Sequence, residues 1–455
     1  MEFDRTVFDD LQAWKNSKYR KPLILKGARQ VGKTSLLVKF GKTEFKDMVW
    51  VNFEEMTEIK SIFQQTKEPK RILENLSKIH GRKIVPQQTL IFFDEIQECN
   101  EALNSLKYFY EKCPEYAVVS AGSLLGITLG KKRSFPVGKV DFLDLYPLTF
   151  DEFLKSYKNQ LYDYSHSVTK LEPILENFKN ELTDAFKTYL ICGGMPEPAL
   201  HMIKEGDLAL VQKSLQNIDN AYAMDFAKHA DKADSFRIQS IWQSISRQLA
   251  KENKKFTYSE VLPNARSREY EISLKWLEQA GLVYKTYLVQ KPGLPLSQYQ
   301  SENIFKIFML DVGLLRRHSN LDPTAFKDGN RLITEFKGAL SENFILQSLI
   351  PQFGNDIYYW KSGAEAEIDF IINYQDQIIP IEVKSSEHIR SKSMAYYTNQ
   401  FKPDIRIRYS LKNLDYNDGL ISIPLFLADH TKKFIDIALN YKKKGILKIR
   451  SVGTY

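Results

Sequence analysis

A strand, a glycine-bounded loop and a helix follow one another near the start of this chain, and that order admits few folds. The apolar run Pro22 to Leu25 leads into Gly27-Ala28-Arg29-Gln30-Val31-Gly32-Lys33-Thr34, and a helical pattern through Leu36, Leu37 and Phe40 comes next. The octet fits GxxxxGK followed by Ser or Thr without departure. Its glycines let backbone N–H groups wrap phosphate oxygens, the helix N-terminus adds a positive end, Lys33 supplies a cation and Thr34 a hydroxyl for Mg2+. Residues Gly27 to Thr34 with Ser35 are therefore the expected nucleotide segment, and ATP with Mg2+ the expected ligands. Such a loop belongs at the C-terminal edge of a parallel sheet. Runs at 48–53, 89–94 and 116–121, separated by helical stretches, supply further strands for it.

One of those runs ends in acid. Leu90-Ile91-Phe92-Phe93-Asp94-Glu95 places four apolar residues before two carboxylates, which buries the strand and delivers the acids beside the loop. Asp94 is the expected Mg2+ partner, and Glu95 is placed to orient and activate water. Ser123, in Ser120-Ala121-Gly122-Ser123, could reach the γ-phosphate or the water; a turn former or helix cap is the plainer reading of a serine there.

The rest of the chain bounds the function. At roughly 150 residues per domain, 455 residues suggest about three domains. Hydrophobic residues at 43% and charged residues at 26% place the chain among folded proteins rather than disordered ones. The net charge of +8 leans only slightly towards acidic partners such as nucleic acid, because it is spread over the whole length. Cys99, Cys113 and Cys192 are an odd set without CxxC spacing, so neither a disulfide framework nor a zinc knuckle is expected. No signal peptide or membrane-length apolar run stands out, and a cytoplasmic protein with no membrane partner is expected.

Beyond Pro147 the pattern turns helical, through Phe153 and Leu154 and past a polar stretch near 158–170 to a helix ending near Leu190. Helices over Ile238–Leu249, Ser259–Leu262 and Ser267–Gln279, then strands over 282–289 and 305–310 about a Pro292-Gly293 turn, suggest a winged helix-turn-helix. The last third starts with a helix and continues with strand-like segments at 357–360, 367–373 and 378–383 and apolar runs at 405–409 and 420–427, as a separate α/β domain would. Lys442, Lys443, Lys444, Lys448 and Arg450 make a basic tail.

GARQVGKT, FFDEIQE at 92–98, SAGSLLG at 120–126, LYPLTFDEFL at 145–154, GGMPE at 193–197, and YYWKSGAEAEIDFII with IPIEVKSS together resemble prokaryotic AAA+ ATPases that carry a C-terminal domain of unknown function. The resemblance implies an α/β fold in five parts: an origin-recognition-like AAA+ P-loop core with a parallel sheet over 1–150, a helical lid over 151–233 and a winged helix over 234–320, then a PD-(D/E)xK, restriction-endonuclease-like domain over 330–430 and the basic tail over 431–455. Relatives carry a Gly-Arg pair where this chain has Gly138-Lys139; lysine lacks the planar fork of an arginine finger, and Arg133 is the competing candidate. A finger acting in trans would need a homo-oligomer.

Asp369 lies on one apolar strand and Glu382-Val383-Lys384 on another, with Glu382 and Lys384 on one face by alternation. Two carboxylates on neighbouring strands can hold Mg2+ while a lysine stabilises charge on a phosphodiester. Buried acid–lysine pairing is the plainer reading of the same residues. The nuclease resemblance implies that Glu342 completes the set. Arg266, Arg268, Lys275 and Lys291 are the candidate DNA contacts, although surface charges are usually just solvated. The expected function is Mg-ATP hydrolysis coupled to nucleic-acid binding or processing, with Mg-dependent cleavage as a possible second activity. The alternative is a nucleotide-dependent protein-interaction switch whose nuclease-like domain only docks.

Overall fold

The computed structural model describes residues 2–123, 138–322, 334–363, 366–385 and 392–443. Two compact units emerge: Met1–Pro147 with Lys275–Leu282, and Leu148–Leu274 with Val283–Tyr455.

The first unit runs α1 (Val7–Asn16), β1 (Leu23–Lys26), α2 (Lys33–Glu44), β2 (Asp47–Asn52), α3 (Lys60–Gln65), α4 (Pro69–His80), β3 (Thr89–Asp94), α5 (Asn100–Lys112), β4 (Ala117–Ala121) and β5 (Asp141–Asp144). The strands form one sheet in the order β2-β3-β4-β1-β5, with every pair parallel. β3 and β4 are buried at every position, which is why their sequences are apolar without alternation. β5 was not anticipated. Asp141-Phe142-Leu143-Asp144 is short and exposes alternate residues at the sheet edge, so it carries no continuous apolar run. Phe93 is fully buried, and its ring meets those of Phe63, Phe53 and Phe109 at centroid distances of 5.5, 5.7 and 6.2 Å. Truncating it to alanine would cost about 3–5 kcal/mol and loosen the strand that carries Asp94.

The second unit begins with helices α6 (Phe150–Tyr157), α7 (Asn159–Ser167), α8 (Glu176–Cys192), α9 (Pro196–Lys204), α10 (Leu208–His229) and α11 (Lys232–Leu249). The segment LTFDEFL starts α6 with a capping box: the Thr149 hydroxyl accepts from the Glu152 amide at 3.2 Å and the Glu152 carboxylate from the Thr149 amide at 3.1 Å. The polar stretch near 158–170 is mostly the helix α7; its apolar residues are too few to have announced it.

A 3-10 turn (Tyr258–Glu260), α12 (Ser267–Gln279), β6 (Val283–Val289), β7 (Gln300–Met309) and α13 (Val312–His318) follow. The helix expected over Ser259–Leu262 is thus a single 3-10 turn, and α12 from Lys275 onward groups with the first unit. The Gly193-Gly194 pair has a steric cause. Asp311 caps α13 and accepts from the Gly194 amide at 2.6 Å, and a Cβ on Gly193, whose φ is +71°, would lie 2.2 Å from the Asp311 carboxylate. Burial pushes the Asp311 carboxyl up to about 6.

The chain ends with α14 (Thr334–Phe353), β8 (Tyr358–Ser362), β9 (Ala366–Tyr374), β10 (Gln377–Val383), α15 (Lys392–Phe401), β11 (Arg406–Ser410), β12 (Asp415–Asn417), β13 (Leu420–Pro424) and α16 (Thr431–Lys443). These strands share one eight-stranded sheet with the hairpin, in the order β12-β13-β11-β10-β9-β8-β6-β7. β6 pairs antiparallel with β7 and parallel with β8, so the division drawn between 320 and 330 falls inside one sheet. Lys444, Lys448 and Arg450 of the basic tail, and Arg133, lie outside the described residues. Among the described residues, no helix is long and apolar enough to cross a membrane.

Candidate nucleotide site and a buried charge cluster

The loop between β1 and α2 is folded as the sequence requires. Gly27 has φ +153°, and a Cβ there would stand 2.3 Å from the Leu145 carbonyl oxygen. Gly32 has φ +97° at the start of α2, so both positions exclude side chains, one by crowding and both by conformation. Arg5 holds the loop from outside, donating to the Val31 carbonyl at 3.0 Å and the Tyr146 carbonyl at 2.5 Å. Arg29 pairs with Glu54 at 3.8 Å, Ala28 and Val31 are buried, and Gln30 and Ser35 are exposed. Within the same unit, Gly281 sits beside Ala28: a Cβ there would come 3.6 Å from the Ala28 amide nitrogen.

Lys33 is buried, and its ammonium donates to the carbonyls of Gly27 at 3.0 Å and Ala28 at 2.8 Å. Burial pulls it down to about 8, against the opposing pull of Glu95 and Asp94. Thr34 donates its hydroxyl to Asp94 at 2.9 Å. Burial raises the Asp94 carboxyl, with the Thr34 hydrogen bond working against it. Glu95 has φ +47°, the left-handed region that an ordinary side chain adopts at a cost, and its carboxylate accepts from the Gln97 side chain at 2.6 Å. A buried ammonium hydrogen-bonded to two carbonyls, with a hydroxyl and two carboxylates nearby, fits a magnesium triphosphate in chemistry and charge. Ser123 is buried just past β4, the strand between β3 and β1. Lys139 forms an ion pair with Glu111 at 3.2 Å.

In the second unit the acids anticipated from sequence are buried among cations, of which the sequence disclosed Lys384 but not Lys254, Lys306 or Arg408. Glu342 on α14 is 5% exposed and bonds through one oxygen to Lys254, while its other oxygen is buried with no hydrogen-bond partner. Asp369 on β9 accepts from the Val383 amide at 2.8 Å; burial and then Glu342 push it up to about 7, with Lys306 and Lys254 opposing. Lys306, from β7, reaches Glu367 at 2.6 Å. Burial lowers Lys306, but Glu342, Glu367 and Asp369 outweigh that and hold it above its ordinary range. Glu382 is taken by Lys384 at 3.1 Å and by Arg408 of β11 at 3.4 Å. Asp369 and Glu342 thus share one cluster, and Glu382 pairs with two cations among its partners. Arg266, Arg268, Lys275 and Lys291 are all exposed.

Residues 19–154 match the family model described as "AAA domain". Residues 183–325 and 337–427 each match a "Domain of unknown function", DUF8612 and DUF4143 respectively. No curated protein matches the sequence. Among solved structures, the Walker-type ATPase PABY2304 of Pyrococcus abyssi is 16% identical, with 70% of this chain and 96% of that chain covered and a TM-score of 0.45. A STAND protein with a tetratricopeptide repeat sensor, PH0952 from Pyrococcus horikoshii, is 14% identical over 77% of this chain and 46% of that chain, at a TM-score of 0.26. The Aeropyrum pernix Orc1 protein, solved in complex with DNA, is 12% identical over 75% and 92%, at 0.27. These likenesses are distant; the family model and the loop geometry identify residues 19–154 as an AAA domain with a P-loop.

Proposed function

We propose that the first unit binds and hydrolyses Mg-ATP and passes its nucleotide state to a nucleic-acid-binding segment. The observation that carries this reading is the position of Lys33, buried at 7% exposure with its ammonium on two loop carbonyls. Phosphate oxygens would replace those carbonyls and return to the ammonium the solvation that burial removed. Thr34 and Asp94 would hold Mg2+, which neutralises charge on the transferring phosphoryl group. Glu95, steadied by Gln97, would orient the attacking water, with Ser123 as a further hydroxyl near the sheet edge. Phosphate-release assays on Lys33→Ala and Glu95→Gln test the reading: turnover should vanish in both, and unchanged hydrolysis would defeat it.

The parts assigned to 151–233 as lid and 234–320 as winged helix belong to this proposal, as does a cytoplasmic setting. The helix, turn, helix and hairpin order across 232–309 supports DNA as the partner, with Arg266, Arg268, Lys275 and Lys291 as exposed cations for phosphates. A trans-acting finger would make the active species a homo-oligomer.

A second reading has its own support. The acids of the nuclease-like set, over the segment assigned to 330–430, are answered by Lys254, Lys306, Lys384 and Arg408, which neutralise them without a metal ion. The single oxygen of Glu342 that lacks a partner favours a cation instead. Ion pairing on this scale favours a switch whose nuclease-like domain docks a protein partner without cutting. Supercoiled DNA with Mg2+ separates the two: nicking by the wild type that Glu382→Ala abolishes supports cleavage, and no nicking by the wild type supports the switch.

A further inference from the structure

Three groups able to ligate a metal ion converge within the second unit from distant parts of the sequence. Asp151 lies in the first turn of α6, His166 in the last turn of α7, and His430 closes the 3-10 segment Leu425–His430. One ligand atom from each lies within 4.8 Å of the other two. The Asp151 Oδ2 stands 3.5 Å from His166 Nε2 and 3.4 Å from His430 Nε2.

Those distances discriminate between two accounts. An imidazolium on a carboxylate closes to roughly 2.7–2.9 Å, and neither contact does so. Ligands bound at ~2.0–2.1 Å to one tetrahedral ion stand roughly 3.3–3.5 Å apart, which is the spacing found here. The polar inventory agrees. His430 Nε2 and Asp151 Oδ1 are buried without a hydrogen-bond partner among the described residues, on residues 6% and 9% exposed. Left so, each costs about 1–3 kcal/mol.

The surroundings are built to orient the ligands. His166 Nδ1 lies 3.0 Å from the Tyr162 carbonyl, which accepts a hydrogen bond from Nδ1–H and so leaves the Nε2 lone pair free for a metal ion. The Asp151 amide donates to Asp429 at 2.9 Å, and Lys433 donates to the His166 carbonyl at 2.8 Å. A divalent ion would also offset the mutual repulsion of the Asp151 and Asp429 carboxylates.

We propose that Asp151, His166 and His430 form a binding site for a zinc-class divalent transition metal, through both Nε2 atoms and an Asp151 carboxylate oxygen. The His166 side chain is 42% exposed, which gives a fourth ligand such as water a route to the ion. Two imidazoles and one carboxylate suit zinc or cobalt over magnesium. The bound ion would fasten α7 to the segment preceding α16, far along the chain, and stabilise the fold by binding it alone.

The test uses the full chain, stripped with chelator and free of nucleotide, titrated with Co2+ and then Zn2+. Wild type should develop the visible absorption of a tetrahedral cobalt site, saturating at one equivalent and displaced by Zn2+, with a rise in Tm. His166→Ala removes an exposed side chain, so its metal-free Tm should match wild type while affinity falls at least ~10-fold; His430→Gln should lose affinity likewise. No saturable tetrahedral spectrum in wild type, or undiminished affinity in His166→Ala, overturns the site.

Discussion

Lys33 and Lys306 are both buried, at 7% and 1% exposure, yet their surroundings treat them in opposite ways. Around Lys33 the partners are two neutral carbonyls, and burial lowers its affinity for the proton. Around Lys306 the Glu342, Glu367 and Asp369 carboxylates more than repay burial, and a Tyr359 ring 4.7 Å away adds a cation–π contact. One lysine holds capacity in reserve for an anionic ligand; the other is already spent on internal neutralisation. A buried charge therefore marks a binding site when its compensation is incomplete, and a structural joint when it is complete.

The contrast is sharpest in turnover. Lys33→Ala should reduce ATP hydrolysis by at least on the order of 10³-fold while leaving the unfolding midpoint in denaturant unchanged or higher, because an under-compensated charge leaves the core. A large drop in stability would erase the distinction. Lys306→Met should do the reverse, lowering stability by about 3–5 kcal/mol through the stranded carboxylates, with hydrolysis by the folded fraction retained. Equilibrium denaturation and phosphate release on the same samples decide both.

The pH dependence gives a smaller, signed effect. Because the Lys33 pKa is about 8 when folded and 10.5 otherwise, the unfolded chain binds more protons between those values. Its contribution to stability therefore rises with pH across that window, by at most about 1.4 kcal/mol per unit, and is flat below pH 8. Subtracting the Lys33→Met profile should isolate this slope, and saturating Mg-ATP should flatten it by restoring the ammonium's partners. Smallest is the DNA effect: if Arg266, Arg268, Lys275 and Lys291 meet phosphates, each alanine variant should reduce the log–log salt slope by about 0.9. An unchanged slope would remove that residue from the interface.

The two regions also differ in how far sequence discloses them. Gly27 to Thr34 and Asp94-Glu95 are legible because the loop is local and β3 is buried on both faces; the run read over 89–94 has the bounds of β3. Arg5, Leu145 and Gly281 were not foreseen, since each reaches the loop from another part of the chain. In the second unit Asp369, Glu382 and Lys384 stand out as charges in apolar strands, but their meaning rests on Lys254, Lys306 and Arg408, which lie on other elements. Asp151, His166 and His430 left no spacing signature, as the last two lie 264 residues apart in the sequence. β5 and α7 escaped for lack of a strong apolar pattern.

Lys306 sits on β7, at one margin of the sheet whose interior strands carry Glu367, Asp369 and Glu382. The hairpin is hence not an appendage that can be cut away. A fragment ending near residue 325 would leave β6 with a raw hydrogen-bonding edge where β8 belongs, and a fragment starting near 337 would keep Asp369 without Lys306 and leave Glu367 only its longer 3.5 Å pair with Lys361. Neither piece should be made alone in soluble form, and dissection of this protein into separately expressed halves has to place its cut elsewhere.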